Sequence, residues 1–419
     1  MAYRVKNIVV CLDGTGNQIE ENISNVLKLY RSLDKGEARE PRQVVFYDQG
    51  VGTIGQKGTW GVLSQKAASI WSLATGHGLD DNVLRAYTFI ARNFCQGEVA
   101  GEDGLVSKQF DRIYIFGYSR GAHTARVLAA LIYNIGMLRP EQLNLAGAAL
   151  TAYKRAGSKT GETEVSAFRR ITQAPSVPIE FVGVWDTVSS MIVPRTDRFL
   201  IPTIEKLPNT RSNPGVRVFR HAMAIDEERY MFRLDTWDEG QEFKYNIHAS
   251  GERQDQDCQQ VWFAGYHGDV GGGNPREASG ASQYPLCWMI KEAMVNHLRF
   301  NPRTVDYVAQ GIPYGATTEY MYPKPDPQAK LHSSRRSAWA LLEVFPKLAR
   351  FRETGAKKKR PALLGLYLPL WEKRTIPEGA KIHQSAIDRM SNSVYRPANF
   401  PDRYVTIAHD GRPASKWLR

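Results

Sequence analysis

The chain alternates short apolar runs with longer segments of helical periodicity. Residues 7–12 (NIVVCL), 43–47 (QVVFY), 112–116 (RIYIF), 179–185 (IEFVGVW) and 260–264 (QVWFA) are short and rich in Val, Ile and aromatics, which predicts buried strands. Between them apolar residues recur three and four apart: in NVLKLYRSL after the first run, in LDDNVLRAYTFIARNF from Leu79, and in GAHTARVLAALIYNIG from Gly121. Strands apolar throughout and separated by helices predict an α/β fold, a mostly parallel sheet with helices on both faces. Two stretches richer in Pro, Gly and charge, near 136–176 and 190–215, are expected as insertions over the active face. The alternation stops near residue 300, which divides the chain into a core over 1–300 and a C-terminal extension over 301–419, expected to pack on that core.

Each apolar run ends in a polar cluster. These are Asp13-Gly14-Thr15-Gly16-Asn17, the loop DQGVGTIGQKG from Asp48, Gly117-Tyr118-Ser119-Arg120-Gly121, Asp186-Thr187 and Gly265-Tyr266-His267-Gly268-Asp269. Ligands of open α/β sheets bind outside the carboxyl ends of the strands, so five segments deliver polar groups to one rim. The third cluster has the form of a nucleophile elbow: a strand, a tight turn carrying one serine between glycines two residues away on either side, and then a helix. Ser119 is the expected nucleophile.

A serine hydroxyl near neutral pH needs an imidazole to take its proton and an acid to orient that imidazole. Asp186 and His267 follow Ser119 in the chain order of α/β-hydrolases, each just past a strand. A loop or capping role for Asp186 and a structural role in a glycine-rich turn for His267 are the competing readings. His123, His221 and His383 are rival bases, and Asp269 is a rival acid, although two residues from His267 is too local for the usual arrangement. The oxyanion would be met by the backbone N–H of Arg120 and by a second donor from the turn at Gly14 and Thr15. Asp13-Gly14-Thr15 also suggests a phosphatase motif of the form DxDGT, but Cys11 stands where its first aspartate belongs. This chemistry calls for no metal and no cofactor.

With 419 residues, 42% of them hydrophobic, the chain is long enough for a large core. Its four cysteines, Cys11, Cys95, Cys258 and Cys287, are scattered without a CxxC pair, which argues against a zinc ribbon or a disulfide framework. The opening MAYRVKNIVV enters a strand at once, so synthesis in the cytoplasm without a cleavable signal peptide is expected, and no apolar run is long enough to span a bilayer. The formal charge of +12 is unevenly spread: residues 331–374 hold 11 Lys/Arg against three Glu, a net +8. The same basic amphipathic segment carries Trp339 and Phe345 before the run Lys357, Lys358, Lys359 and Arg360, and such a mixture suits an anionic membrane surface. A solvated basic loop beside a packed helix fits the composition as well. No recognised nucleic-acid motif accompanies it, so nucleic acid is not an expected partner.

Eight segments in order, VCLDGTGN (10–17), YDQGVGT (47–53), GLDDNVLRAYTFI (78–90), IFGYSRGAHTAR (115–126), FVGVWDTV (181–188), HAMAIDEERYMF (221–232), VWFAGYHGDVGGG (261–273) and IHQSAIDRM with YRPANFP (382–401), resemble the catalytic domain of the first class of type VI secretion lipase effectors. The resemblance implies an α/β-hydrolase fold and phospholipase A activity. It carries nucleophile, acid and base onto Ser119, Asp186 and His267. It also implies a phospholipid membrane surface as target, export by type VI secretion, and a secretion-apparatus or immunity protein as partner. The chain departs from the family pattern at His123, where an aromatic is usual, and at Gly268, where a small polar residue is usual. A soluble carboxylesterase with a non-membrane substrate and a catalytically silent scaffold of the same fold are the alternative readings.

Overall fold

The computed structural model describes the chain except for residues 1–2, 15–22, 37–38, 51–77, 101–105, 158, 189–191, 195–201, 205–206, 247–253, 314–320, 337–342, 344–346, 349–365, 369 and 409–419. Its centre is an eight-stranded sheet. The strands are β1 (Asn7–Leu12), β2 (Gln43–Asp48), β3 (Arg112–Tyr118), β4 (Ile179–Trp185), β5 (Val216–Ala224), β6 (Asp257–Phe263), β7 (Ala380–His383) and β8 (Tyr404–Ile407), in spatial order β2-β1-β3-β4-β5-β6-β7-β8. Every neighbouring pair is parallel. The fold is α/β, and the strand order reverses between β1 and β3, where the chain first steps outward to β2 and then crosses to the other side.

The pleat sorts the apolar runs into two cores. In β1, Ile8, Val10 and Leu12 face one side and Val9 and Cys11 the other; in β3, Ile113 and Ile115 oppose Tyr114, Phe116 and Tyr118. The first side is covered by α2 (Leu79–Asn93), α3 (Arg120–Ile135), α4 (Ala146–Arg155) and α5 (Lys159–Thr172). The second is covered by α1 (Asn25–Ser32), α7 (Gln283–Val295) and α8 (Pro302–Gln310), while the short α6 (His267–Gly271) follows β6. Sheet residues buried on both faces explain why the strands read as continuous apolar runs, each fully buried aliphatic or aromatic side chain contributing about 1.5–3 kcal/mol. Residues 136–176 supply α4 and α5, which extend the layer of α2 and α3 through the buried Leu150 and Tyr153.

Two of the eight strands come from beyond residue 300. β7 pairs with β6, β8 pairs with β7, and Ile376, Ala380, Ile382 and Ala386 close a third apolar cluster with Met223, Ile225 and Trp262. The helix α9 (Gln384–Asn392) follows β7 directly. The sheet therefore continues into the region that the loss of alternation sets apart, because these strands are only four residues long and lie among irregular segments.

Candidate active site

Ser119 lies at the turn between β3 and α3, beside the point where the strand order reverses, with φ 58° and ψ −119°. The turn is tight because its glycines touch backbone. A Cβ on Gly117 would stand 2.4 Å from the Gly121 carbonyl oxygen, and one on Gly121 would stand 2.2 Å from that of Leu12 and 2.5 Å from that of Asp13. The elbow thus packs directly on the end of β1, and the Ser119 amide donates to the Trp185 carbonyl at 3.0 Å. Gly121→Ala is expected to push β1 and α3 apart, lowering stability by about 1–3 kcal/mol and misplacing Ser119. Gly147→Ala in α4, where a Cβ meets nothing within 4 Å, is expected to leave stability unchanged or raised, and urea melts of both variants check the pair.

Ser119, His267 and Asp186 come together from three strand ends. The Ser119 hydroxyl lies 2.8 Å from His267 Nε2, and His267 Nδ1 lies 2.5 Å from Asp186 Oδ2. An ionised carboxylate only accepts, so Nδ1 carries the proton and Nε2 is left to accept from Ser119. The imidazole packs against the Tyr118 ring, tilted by 30°, and against the Phe232 ring edge-on, each with its centroid 4.8 Å away. Asp186, fully buried, opens its turn with φ 43° and accepts the Ala224 amide on Oδ1 at 2.9 Å. Burial alone would push its carboxyl up, but the Arg374 guanidinium and the His267 bond hold it far below the usual carboxylate range. For His267, burial pushes the imidazole below its ordinary value against the opposing pull of Asp186.

The other expected site residues fall as follows. Arg120, whose amide would meet an oxyanion, is the first residue of α3. The Gly14 amide donates to Asp13 Oδ1 at 2.6 Å, and the same carboxylate accepts Tyr47 Oη at 2.8 Å and the Ser24 hydroxyl. Thr15 lies outside the described residues, as do Trp339, Phe345, Lys357, Lys358, Lys359 and Arg360. Elsewhere in the basic segment, Arg335 Nε donates to Glu228 at 2.6 Å, Lys373 stands 3.6 Å from the same carboxylate, and Arg374 reaches Asp186. Part of that charge is therefore paired with the core.

The rival histidines do other things. His383 stacks on Phe263 and bonds Ser385 Oγ at 2.8 Å. His221 accepts the Thr187 amide on Nε2 at 3.0 Å, fixing the turn that carries Asp186, and burial pushes its imidazole down to about 3. His123 is buried in the first turns of α3, and its burial pushes it down to about 4. Asp269 bonds His332 Nδ1 at 2.7 Å rather than His267.

Sequence reasoning missed three supports of this arrangement. Glu227 accepts the His267 amide at 3.2 Å while paired with Arg229 at 2.7 Å. Asn399 donates to the carbonyls of Ile225 at 3.0 Å and Arg374 at 3.1 Å. Arg374 forks onto both Asp186 oxygens. Glu227 and Asn399 lie inside the segments 221–232 and 382–401, whose pattern was the signal for them; nothing local marks Arg374. Among the described residues no cluster of three or more His, Cys, Asp or Glu is placed to hold a metal ion, and no helix is long and apolar enough to cross a membrane.

A family model described as the catalytic domain of Tle1-like phospholipase effectors of the type VI secretion system matches residues 6–292. An uncharacterized protein of Saccharomyces cerevisiae is 29% identical over 241 residues, 54% of this chain and 32% of that protein. A crystal structure of an uncharacterized protein from Pseudomonas aeruginosa is similar over 71% of this chain and 46% of its own, with 18% identity and a TM-score of 0.35. A structure of the Tle1 effector bound to the VgrG spike from the type VI secretion system is similar over 65% of this chain and 52% of its own, with 18% identity and a TM-score of 0.32. The chain thus spans about a third of the length of the yeast protein and about half of each solved chain.

Proposed function

The chain belongs to the family of type VI secretion phospholipase effectors with a Tle1-like catalytic domain, and on that premise we propose that it is a serine hydrolase of the phospholipase A type, cleaving carboxylic ester bonds of glycerophospholipids. The observation that carries the reading is the continuous hydrogen-bonded line from the Ser119 hydroxyl through His267 to the buried Asp186, 2.8 Å and 2.5 Å long in its two links.

In this reading the Ser119 oxygen attacks the ester carbonyl carbon while its proton passes to His267 Nε2. Asp186 stays ionised and stabilises the imidazolium through Nδ1–H. The tetrahedral oxyanion forms at the N-terminus of α3, where the Arg120 amide is one donor and the helix dipole favours negative charge. The Gly14 amide is taken by Asp13 Oδ1, so of the two expected second donors the Thr15 amide is the one retained in this reading. Collapse of the intermediate breaks the carbon–oxygen bond of the ester, and His267 returns its proton to the departing lysophospholipid oxygen. Water then gives a proton to His267 and attacks the acyl-Ser119; fatty acid leaves and Ser119 recovers its hydrogen.

Contact with an anionic membrane through Trp339, Phe345 and Lys357–Arg360, and delivery by type VI secretion with a secretion-apparatus or immunity partner, are parts of the same proposal. The test is release of free fatty acid from phosphatidylethanolamine and phosphatidylglycerol vesicles by wild type and Ser119→Ala. Ser119-dependent release is expected. Turnover of soluble p-nitrophenyl esters alone would assign the chain to soluble carboxylesterases, and no Ser119-dependent turnover of either substrate would overturn the hydrolase reading.

A further inference from the structure

Asp186 is fully buried, and four donors converge on it. Oδ1 accepts the Ala224 amide at 2.9 Å and Arg374 Nη1 at 2.5 Å; Oδ2 accepts His267 Nδ1 at 2.5 Å and Arg374 Nη2 at 3.0 Å. Arg374 is itself only 4% exposed and is fixed from both ends. Its guanidinium also donates to the carbonyls of Ala224 at 3.1 Å and Phe232 at 2.6 Å, and its own carbonyl accepts from Asn399 at 3.1 Å. Residue 374 lies beyond the matched region 6–292, in the C-terminal part that also supplies β7 and β8.

We propose that Arg374 is a positioning residue, a guanidinium clamp that fixes the Asp186 carboxylate against His267 and shares its negative charge. The inference rests on the Ser119–His267–Asp186 reading above. Without Arg374 each carboxylate oxygen would keep one partner, the Ala224 amide on Oδ1 and His267 on Oδ2; the planar fork adds a second to both and fixes the orientation with Oδ2 aimed at Nδ1. The clamp also alters what His267 feels. An unshared buried carboxylate stabilises the imidazolium strongly, and the positive charge behind Asp186 reduces that pull.

The other groups facing His267 largely cancel. Glu227, which accepts the His267 amide, is paired with Arg229 at 2.7 Å, and Arg229 lies over the Phe232 ring. The uncharged Tyr118 and Phe232 rings also pack against the imidazole. Burial pushes His267 below its ordinary value against the remaining pull of Asp186, which favours the neutral imidazole that can accept the Ser119 proton.

The experiment is the pH dependence of Ser119 labelling by a fluorophosphonate, and of kcat/KM on a soluble ester, for the full chain, Arg374→Gln, Arg374→Lys and Ser119→Ala. Wild type is expected to keep its acid limb below about 6.5, the ordinary value for histidine. Arg374→Gln, which removes the charge, is expected to raise that limb by about one unit or more and to lower kcat about 10- to 100-fold with little change in KM, the scale of a misplaced reacting group. Arg374→Lys, which keeps the charge without the fork, is expected to keep the limb near wild type with kcat still reduced. Unchanged kcat and limb in Arg374→Gln would overturn the proposal. So would an equal loss in both variants with no movement of the limb, which is the signature of a tie that only holds the C-terminal part in place. If Arg374→Gln does not fold, the wild-type limb and Arg374→Lys decide, a wild-type limb above about 7 counting against charge sharing. Absence of Ser119-dependent turnover in wild type would remove the hydrolase reading itself, whereas normal wild-type turnover with indifferent Arg374 variants removes only the clamp.

Discussion

Ser119→Ala is expected to lower kcat for ester hydrolysis by about 10⁴- to 10⁶-fold while leaving the protein folded, the scale seen when a triad nucleophile is removed. The expectation is large because the neighbouring polar groups already have other tasks. His267 is engaged by Asp186, Asp13 by Gly14, Ser24 and Tyr47, and Asp269 by His332, so these polar groups are already occupied and do not stand in for the Ser119 hydroxyl. The same position carries a stability prediction of opposite sign. With φ 58° and ψ −119°, Ser119 occupies a conformation that any Cβ makes costly. Ser119→Gly should therefore be as inactive as Ser119→Ala yet more stable than it by about 1 kcal/mol. Steady-state kinetics and urea melts of the two variants are the measurement. Residual activity above about one percent in Ser119→Ala would contradict the nucleophile assignment.

The parts of the site that are legible in the sequence are those whose physics is local. A strand buried on both faces must be apolar throughout, so β1, β3 and β4 announce themselves, the half-buried edge strand β2 and the buried second half of β6 still carry apolar runs, and a tight turn against β1 must have glycine at 117 and 121. The Ser, Asp, His order follows from which strand ends meet at one rim. β5 is less plain, because the buried Arg220 and His221 interrupt its apolar run, Arg220 pairing with Asp257 and Glu292 and His221 Nε2 accepting from Thr187, all in distant segments. β7 and β8 are four residues each, and Tyr404 and Val405 are exposed on the edge strand, so neither length nor alternation distinguishes them from loop. Arg374 is the hardest case. In the sequence it is one of 11 basic residues in a stretch that reads as surface charge, and only the fold shows that it is buried against an aspartate 188 positions earlier.

That burial makes Asp186→Asn a more severe change than the loss of a triad acid alone. Two losses are expected together: about 10⁴-fold in kcat, and about 3–5 kcal/mol of stability, the cost of leaving one member of a buried ion pair without its partner. The amide replaces one accepting oxygen with a donor. Both oxygens accept from Arg374, so the NH₂ meets a guanidinium donor at either position; at Oδ2 it also faces His267, where Nδ1 must accept, the proton moves to Nε2, and the nitrogen that should take the Ser119 proton is blocked. Either arrangement leaves the guanidinium charge uncompensated. The double variant Asp186→Asn/Arg374→Met should then recover much of the stability and none of the activity, which separates the electrostatic cost from the chemical one. The pH dependence has a definite sign. Because folding holds the Asp186 carboxyl below its ordinary value, its contribution is complete above about pH 4, the unfolded value, and is lost as pH falls below it. Urea melts should therefore show a wild-type advantage over Asp186→Asn that is full at pH 7 and smaller at pH 3. An advantage of the same size at both pH values, or a double variant no more stable than Asp186→Asn, would show that the pair's charge is not what the single substitution exposes.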